Sequence, residues 1–469
     1  MKTVVLKKTD PLFLKEVDIA QVPMGAGDYL FRLRMLRERM GADGIDAAVI
    51  VGDREHFANI EYFCGYDCRF EESVFVVPRE GAPTLLVGNE GMSYSFCVPY
   101  EIRRAYYRNF RLQGQPRRKE EKLDEILRDA GVFPGAMVGL IGFKYFLPEY
   151  IPTDPKYTFD APHYVVEALR SLAGFENVVN YTAALTGLDS GMRLRVYTAK
   201  EIAAAETAGA RSANVLMRLL KSMQPGMTEY ALSESARVGF APHVMHPLVN
   251  FGPESVALGI RSPRDDVRLS LGDQCGLCYG VRGSLSSRVG VAARDEATMH
   301  ESLRPHLFSF YGEFFRAMGA WYEALKVGAD GNALHRAVHD ILDGPNHFVE
   351  LNCGHFTGMD EWVNALSYEG STYTVPDGAY MQVDIISSMP DPARTAICED
   401  PAIVAGPALR AALGREYPEV YARILARQRA FREVLGIDLC DDVLPLTNIN
   451  AAMFPFMLNP DIVFALEEA

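Results

Sequence analysis

The chain has no apolar run long enough to span a bilayer, and only two tryptophans and ten histidines among its 469 residues. Its first residues, MKTVVLKKTDPLFLKEVD, lack an apolar core followed by a small-residue cleavage site, so nothing there reads as a secretion signal. No glycine-rich phosphate loop follows a strand pattern in the first part, which removes the usual signature of nucleotide binding. Short-period repeats and low-complexity segments are missing as well. Positive charge is scarce: 47 Lys and Arg stand against 61 Asp and Glu, a net charge of −14. That balance argues against nucleic acid or an anionic membrane as a partner. The eight cysteines are scattered, and in a large chain without a secretion signal they read as reduced thiols, which points to the cytoplasm.

What is present is an ordinary globular composition, 48% hydrophobic and 23% charged, with length for two or three domains. The first part alternates helix and strand patterns. Tyr29–Met40, Lys119–Ala130 and Tyr164–Leu172 have helical spacing, and 46–51, 73–78, 83–87 and 137–143 read as strands. Together they predict an α/β domain of about 180 residues. A connector at 189–198 leads to a long helix, Ala199–Met223, stopped by Pro225-Gly226. Thr228 is a plausible N-cap for a helix over Glu229–Val238. Strands are expected at Gln274–Tyr279 and Arg288–Ala292. Helices are expected at Glu301–Leu325, Asn332–Leu342 and Pro407–Leu435, before an apolar tail, Val443–Leu466, that packs back on the body.

The chemistry concentrates between Cys353 and Asp400. His355 follows a glycine, Asp384 ends an apolar run, and Glu399 sits in Ala396–Asp400 just before another. Because strand side chains alternate, three such strands can converge on one pocket. A histidine and two carboxylates buried together are costly unless they bind a cation, share a proton or grip a substrate. The alternative is that all three are edge or loop residues in solvent. Cys275 and Cys278 form a CxxC pair, but three-residue spacing on a strand points the thiols to opposite faces, and no second pair exists to build a zinc ribbon.

The order of these pieces resembles the creatinase, prolidase and Xaa-Pro aminopeptidase family, whose catalytic domain has the pita-bread fold. The resemblance rests on 53–60 and 62–66 in the first part, then Thr198–Ile202, Gln224–Glu229, Leu271–Asp273, Gly354-His355, Asp377-Gly378 and Glu399-Asp400 in that order. It implies a creatinase-like N-terminal α/β domain over 1–185 and an α+β pita-bread domain over 186–469. It also implies a homodimer in which Arg69–Glu72 and Tyr94–Cys97 serve as lid elements.

Metal-dependent members of that family hold two divalent cations with two Asp, one His and two Glu. Carried over, the His falls on His355, one Glu position on Asp384 and the last Glu on Glu399. The two Asp positions fall on Cys278 and Leu285. Leu285 cannot ligate, and the carboxylate it replaces is the one that bridges both ions. A thiolate at Cys278 would be a soft ligand in a site built for oxygen. The expectation is therefore no cofactor. If any cation binds, it is a single, weakly held divalent one on His355, Asp384 and Glu399. Neither of the family's additional histidines is matched: 258–263 offers none, and 358–363 supplies Glu361 and Trp362 instead.

These residues suggest a hydrolase of a C–N bond in a small molecule or dipeptide, working without the paired cations. His355 would act with Asp384 and Glu399 in proton transfer, and Arg288, Arg261, Glu361 and Trp362 would bind substrate. Cys278 is a second candidate for the chemistry, as a nucleophile activated by His355. The competing expectation is a catalytically inactive module that binds a ligand or protein.

Overall fold

In a computed structural model, residues 2–115, 122–239 and 241–469 are described. The chain divides into two compact units, Pro23–Met192 and a second made of Met1–Val22 with Arg193–Ala469. This differs from a boundary after residue 185. The first strand, Lys2–Lys8, leaves the N-terminal unit to pair antiparallel with Ile462–Glu468 near the C-terminus, and the switch between units falls at 192–193.

The smaller unit is a six-stranded mixed sheet. Its strand order is Arg103–Tyr106, Thr84–Val87, Ser73–Pro78, Ala47–Gly52, Val138–Ile141, Val178–Asn180. Alternate residues of the central strands, Val49, Val51, Val74 and Val76, face one apolar core. Helices Leu123–Asp129 and His163–Ala173 close that core with Ile126, Leu127, Val165 and Leu169. Two of the expected strands, Ser73–Pro78 and Thr84–Val87, pair antiparallel, with Val74 opposite Leu86. The helix expected from Lys119 is present over Leu123–Asp129, while residues 119–121 lie outside the described ones.

The larger unit carries a nine-stranded sheet with helices. Helix α1 (Ala199–Ser222) starts at a capping box in which Thr198 Oγ1 accepts from Glu201 N and Glu201 reaches back to the Thr198 amide. Strands β1 (Gln274–Val281) and β2 (Ser284–Val291) form a hairpin on which α1 packs; the turn between them uses Gly283 at φ +98°. Strand β2 begins four residues before the expected Arg288, so Leu285 lies within the ladder. Helices α2 (Glu313–Ala324) and α3 (Gly331–Leu342) follow; α2 is preceded by a π-helical turn from Leu307, and the expected start at Glu301 fails because Pro305 intervenes. Strands β3 (His355–Phe356), β4 (Ala379–Val383) and β5 (Ala393–Val404) complete the region that holds the site, with β5 pairing both β2 and β4. The helix expected over Pro407–Leu435 is two helices, Pro407–Glu416 and Pro418–Glu433, because Pro418 has no N–H for the preceding turn. The apolar tail closes on the sheet through Val443–Pro445, which pairs with Ala402–Val404. No helix among the described residues is long and apolar enough to cross a membrane.

Candidate functional site

Glu399 and Asp400 are consecutive on β5 and so project to opposite faces. In the β2–β5 register Ser287 stands opposite Glu399, and in the β1–β2 register Ser287 stands opposite Cys278. Leu285, two residues before Ser287, shares that face. It packs with Cys278 and Leu248 in a small buried apolar cluster.

His355 is brought to the same region by Gly354, whose φ of +84° suits glycine and whose absent side chain leaves room for Trp321, 2.6 Å from where a Cβ would stand. The Gly354 amide donates to the Asp384 carbonyl at 2.8 Å, which ties the histidine segment to the end of β4. The ring of His355 is fully buried. Its Nδ1 lies 3.1 Å from the Phe356 carbonyl, so Nε2 is the nitrogen that reaches the acidic groups. Nε2 is 3.0 Å from Glu361 Oε1 and 3.8 Å from Asp384 Oδ2. The Glu361 contact is in ion-pair range but off the line of the ring N–H, because Nε2 makes no aligned hydrogen bond. Trp362 stacks on the ring with centroids 4.0 Å apart. Glu361 and Trp362 arrive because the segment folds back, with the Val363 amide donating to the Phe356 carbonyl and the Phe356 amide to Asn364.

Glu399 Oε1 accepts from Gln382 Nε2 at 3.2 Å, and the same amide donates to the Leu285 carbonyl at 2.8 Å. Gln382 sits directly opposite His355 in the β3–β4 pair and links the two halves of the site; its polarity inside an otherwise apolar strand was the available signal for it.

The electrostatics follow from burial. Burial alone would strip His355 of its proton, but Glu361 and Asp384 outweigh it and hold the ring's pKa above its usual value. Burial raises Asp384, which His355 pulls back and Glu361 pushes up. Glu399 is raised well above the ordinary carboxyl range by burial and by the nearby Asp384 and Glu361. The surroundings therefore favour the imidazolium form of His355 and the neutral form of the Glu399 carboxyl. Burial, then Glu399, push the Cys278 thiol far above its usual range, which disfavours the thiolate that a nucleophile would need.

Arg288 also differs from expectation. It points to the face opposite Leu285, is fully buried, and spends its donors on protein: Asp400 Oδ2 at 2.7 Å and the carbonyls of Ser287, Glu399, Ile449 and Ala452. It has no donor left for a substrate. Arg261 is bound to the buried Glu229, with Nη2 3.1 Å from Oε2.

Ligand atoms of His355, Glu361 and Glu399 all lie within 4.8 Å of one another, so this trio is the set that could hold one divalent cation. It has Glu361 where the sequence suggested the shorter Asp384. Cys278 and Leu285, the positions where the resemblance implies two further carboxylates, pack together as hydrophobes.

Residues 32–131 match the family model described as the creatinase/prolidase N-terminal domain. A comparison with curated proteins matches none. Among solved structures, the chain is similar to a prolidase from Pyrococcus horikoshii, at 14% identity over 80% of this chain and 95% of that one, TM-score 0.61. It is also similar to the dipeptidase PepE from Mycobacterium ulcerans, at 17% identity over 81% and 94%, TM-score 0.60. An X-Pro aminopeptidase from Thermotoga maritima matches at 14% identity over 79% and 94%, TM-score 0.60. At these identities the likeness shows the fold.

Proposed function

For a chain with the pita-bread fold of the creatinase and prolidase family, and a creatinase/prolidase N-terminal domain at residues 32–131, we propose hydrolysis of a C–N bond in a small molecule or dipeptide without a paired-cation centre. The observation that supports this reading is the convergence of His355, Glu361, Asp384 and Glu399: His355 Nε2 lies 3.0 Å from Glu361 Oε1 and 3.8 Å from Asp384 Oδ2, and donor atoms of His355, Glu361 and Glu399 lie within 4.8 Å of one another. Glu361, a quarter exposed, is the member that meets solvent. It takes a proton from the attacking water while His355 holds the carboxylate in position and stabilises the negative charge that develops. Glu399, whose neutral form burial favours, donates a proton to the leaving nitrogen, and Asp384 offsets the charge of a protonated His355. Trp362 supplies an aromatic wall. A single divalent cation bound by His355, Glu361 and Glu399 would polarise the scissile carbonyl and acidify a bound water.

A screen of X-Pro dipeptides, creatine and other amidino acids, with and without manganese, tests the reading. Turnover that falls at least ~100-fold in Glu361→Gln and in His355→Ala supports it; turnover unchanged in both overturns the assigned roles. One observation favours a second reading, a binding module without turnover: Trp362 lies flat on His355, and Leu285 with Cys278 fills the corner with apolar surface. Binding of an X-Pro dipeptide with no hydrolysis would select it. Assembly as a homodimer belongs to either reading, and the exposed Phe70 and Phe96 in the expected lid segments are the groups to test by light scattering of their Ser variants.

A further inference from the structure

Outside the His355 cluster, a second set of cation-binding donors converges. Helix α3 carries His335 and His339 at i, i+4 spacing, so both side chains lie on one face one turn apart. Their rings stack with centroids 4.0 Å apart and planes inclined by 26°. Cys353, fully buried, completes a triangle in which one nitrogen of each ring and the Cys353 Sγ all lie within 4.8 Å of one another. A stacked histidine pair on a half-buried helix face and an inert core thiol are each common. The convergence of all three donor atoms on one point is what the packing of such residues does not require.

We propose that His335, His339 and Cys353 bind a borderline divalent cation, zinc above all, at a site separate from the His355 cluster. Imidazole and thiolate donors favour zinc over magnesium or manganese, whereas the carboxylate-rich His355 cluster has the opposite bias. Burial and the neighbouring His339 hold His335 below the usual histidine range, which favours the neutral imidazole that ligates a metal. Bonds of roughly 2.0–2.3 Å place tetrahedral donors roughly 3.5 Å apart, so closure needs about 1 Å of side-chain movement. As the sulfur–metal bond forms, the thiol proton leaves to solvent, and three protein donors leave a fourth position for water.

The site has a mechanical consequence. Cys353 precedes His355 by two residues, with Gly354 between them, and its carbonyl accepts from Trp321 Nε1 at 2.7 Å. A zinc ion there ties helix α3 to the segment that presents His355.

The test uses the full chain, stripped with a chelator and titrated with cobalt(II), followed by displacement with zinc. The expected result is thiolate-to-cobalt charge-transfer absorption that saturates at one equivalent and disappears as zinc is added. His335→Ala and His339→Ala, on a half-buried helix face, should each raise the zinc Kd at least ~10-fold with the fold intact by circular dichroism. Cys353→Ser should abolish the band, and Glu399→Gln should leave it unchanged. The proposal is overturned if no charge-transfer band appears or if the band survives His339→Ala and Cys353→Ser. A band lost only in Glu399→Gln overturns it too, since that result assigns the thiol to Cys278.

Discussion

Glu399 and Asp400 are adjacent on one strand, both buried, and the two faces of that strand treat their charges differently. On one face Asp400 has Arg288 at 2.7 Å and the Ala451 amide at 3.0 Å. Burial still raises its pKa to about 6, but the guanidinium, itself raised by the pair, keeps both groups charged at neutrality. On the other face Glu399 has no cation in hydrogen-bond contact; it has Gln382 and, nearby, two more carboxyls. A protein that needs a buried acid only for stability supplies a fixed counter-charge. One left to hold a proton, within 4.8 Å of His355 and Glu361 donor atoms, is available for transfer or for a cation.

Removing the counter-charge on one face and the acid on the other should separate the two faces most clearly. Arg288→Met strands a buried charge at Asp400 and should cost about 3–5 kcal/mol in urea unfolding. Glu399→Gln keeps the size of a group whose neutral form burial favours and should cost less than ~1 kcal/mol. If Glu399→Gln is as damaging as Arg288→Met, Glu399 is a structural acid and the contrast fails.

A smaller effect is the pH dependence. Asp384 and Glu399 are raised from ordinary values of 3.8 and 4.5, so the folded state keeps protons that the unfolded chain has released, and stability falls as pH rises above those values. His355 is raised from 6.5, so its contribution is complete below 6.5 and is lost as pH climbs through the folded value. All three act in one direction. Urea midpoints should therefore decline between pH 5 and pH 8, and the decline should be shallower in His355→Gln/Glu399→Gln. An equal slope in the variant would show that other groups govern the trend.

Much of this site was legible because strand periodicity is local. The placement of His355 after a glycine, and of Asp384 and Glu399 within apolar runs, needed only alternation and composition. The same rule also carried a signal against Arg288: three residues from Leu285 on one strand, it must point away from the face that Leu285 occupies. The break at Pro418 was readable in the same way. What no local pattern shows is the fold-back after Phe356 that lays Glu361 and Trp362 against His355, since it depends on the Val363 and Asn364 backbone pairing with Phe356. The triangle of His335, His339 and Cys353 is half legible, because i, i+4 spacing marks the histidines while the thiol comes from tertiary packing.

The most direct test of why the Glu399 face differs is to return carboxylates to it. Leu285 and Cys278 occupy the two positions at which the resemblance to metal-dependent relatives predicts aspartates, and they bury apolar surface there with Leu248. The double variant Cys278→Asp/Leu285→Asp should lose stability in metal-free buffer, because two acids join a crowded, buried group of carboxyls. Manganese should then restore part of that loss by binding the folded state alone. At 100 times Kd the gain is about 2.7 kcal/mol, which for a unit this large is a rise of only several degrees in Tm. The native chain, with a single trio of oxygen and nitrogen donors, should gain less from the same manganese. If the variant gains no more than the native chain, the apolar corner is not what separates this site from a paired-cation centre. The difference would then lie in the reach of Asp384, and Asp384→Glu in the same background would be the next substitution to measure.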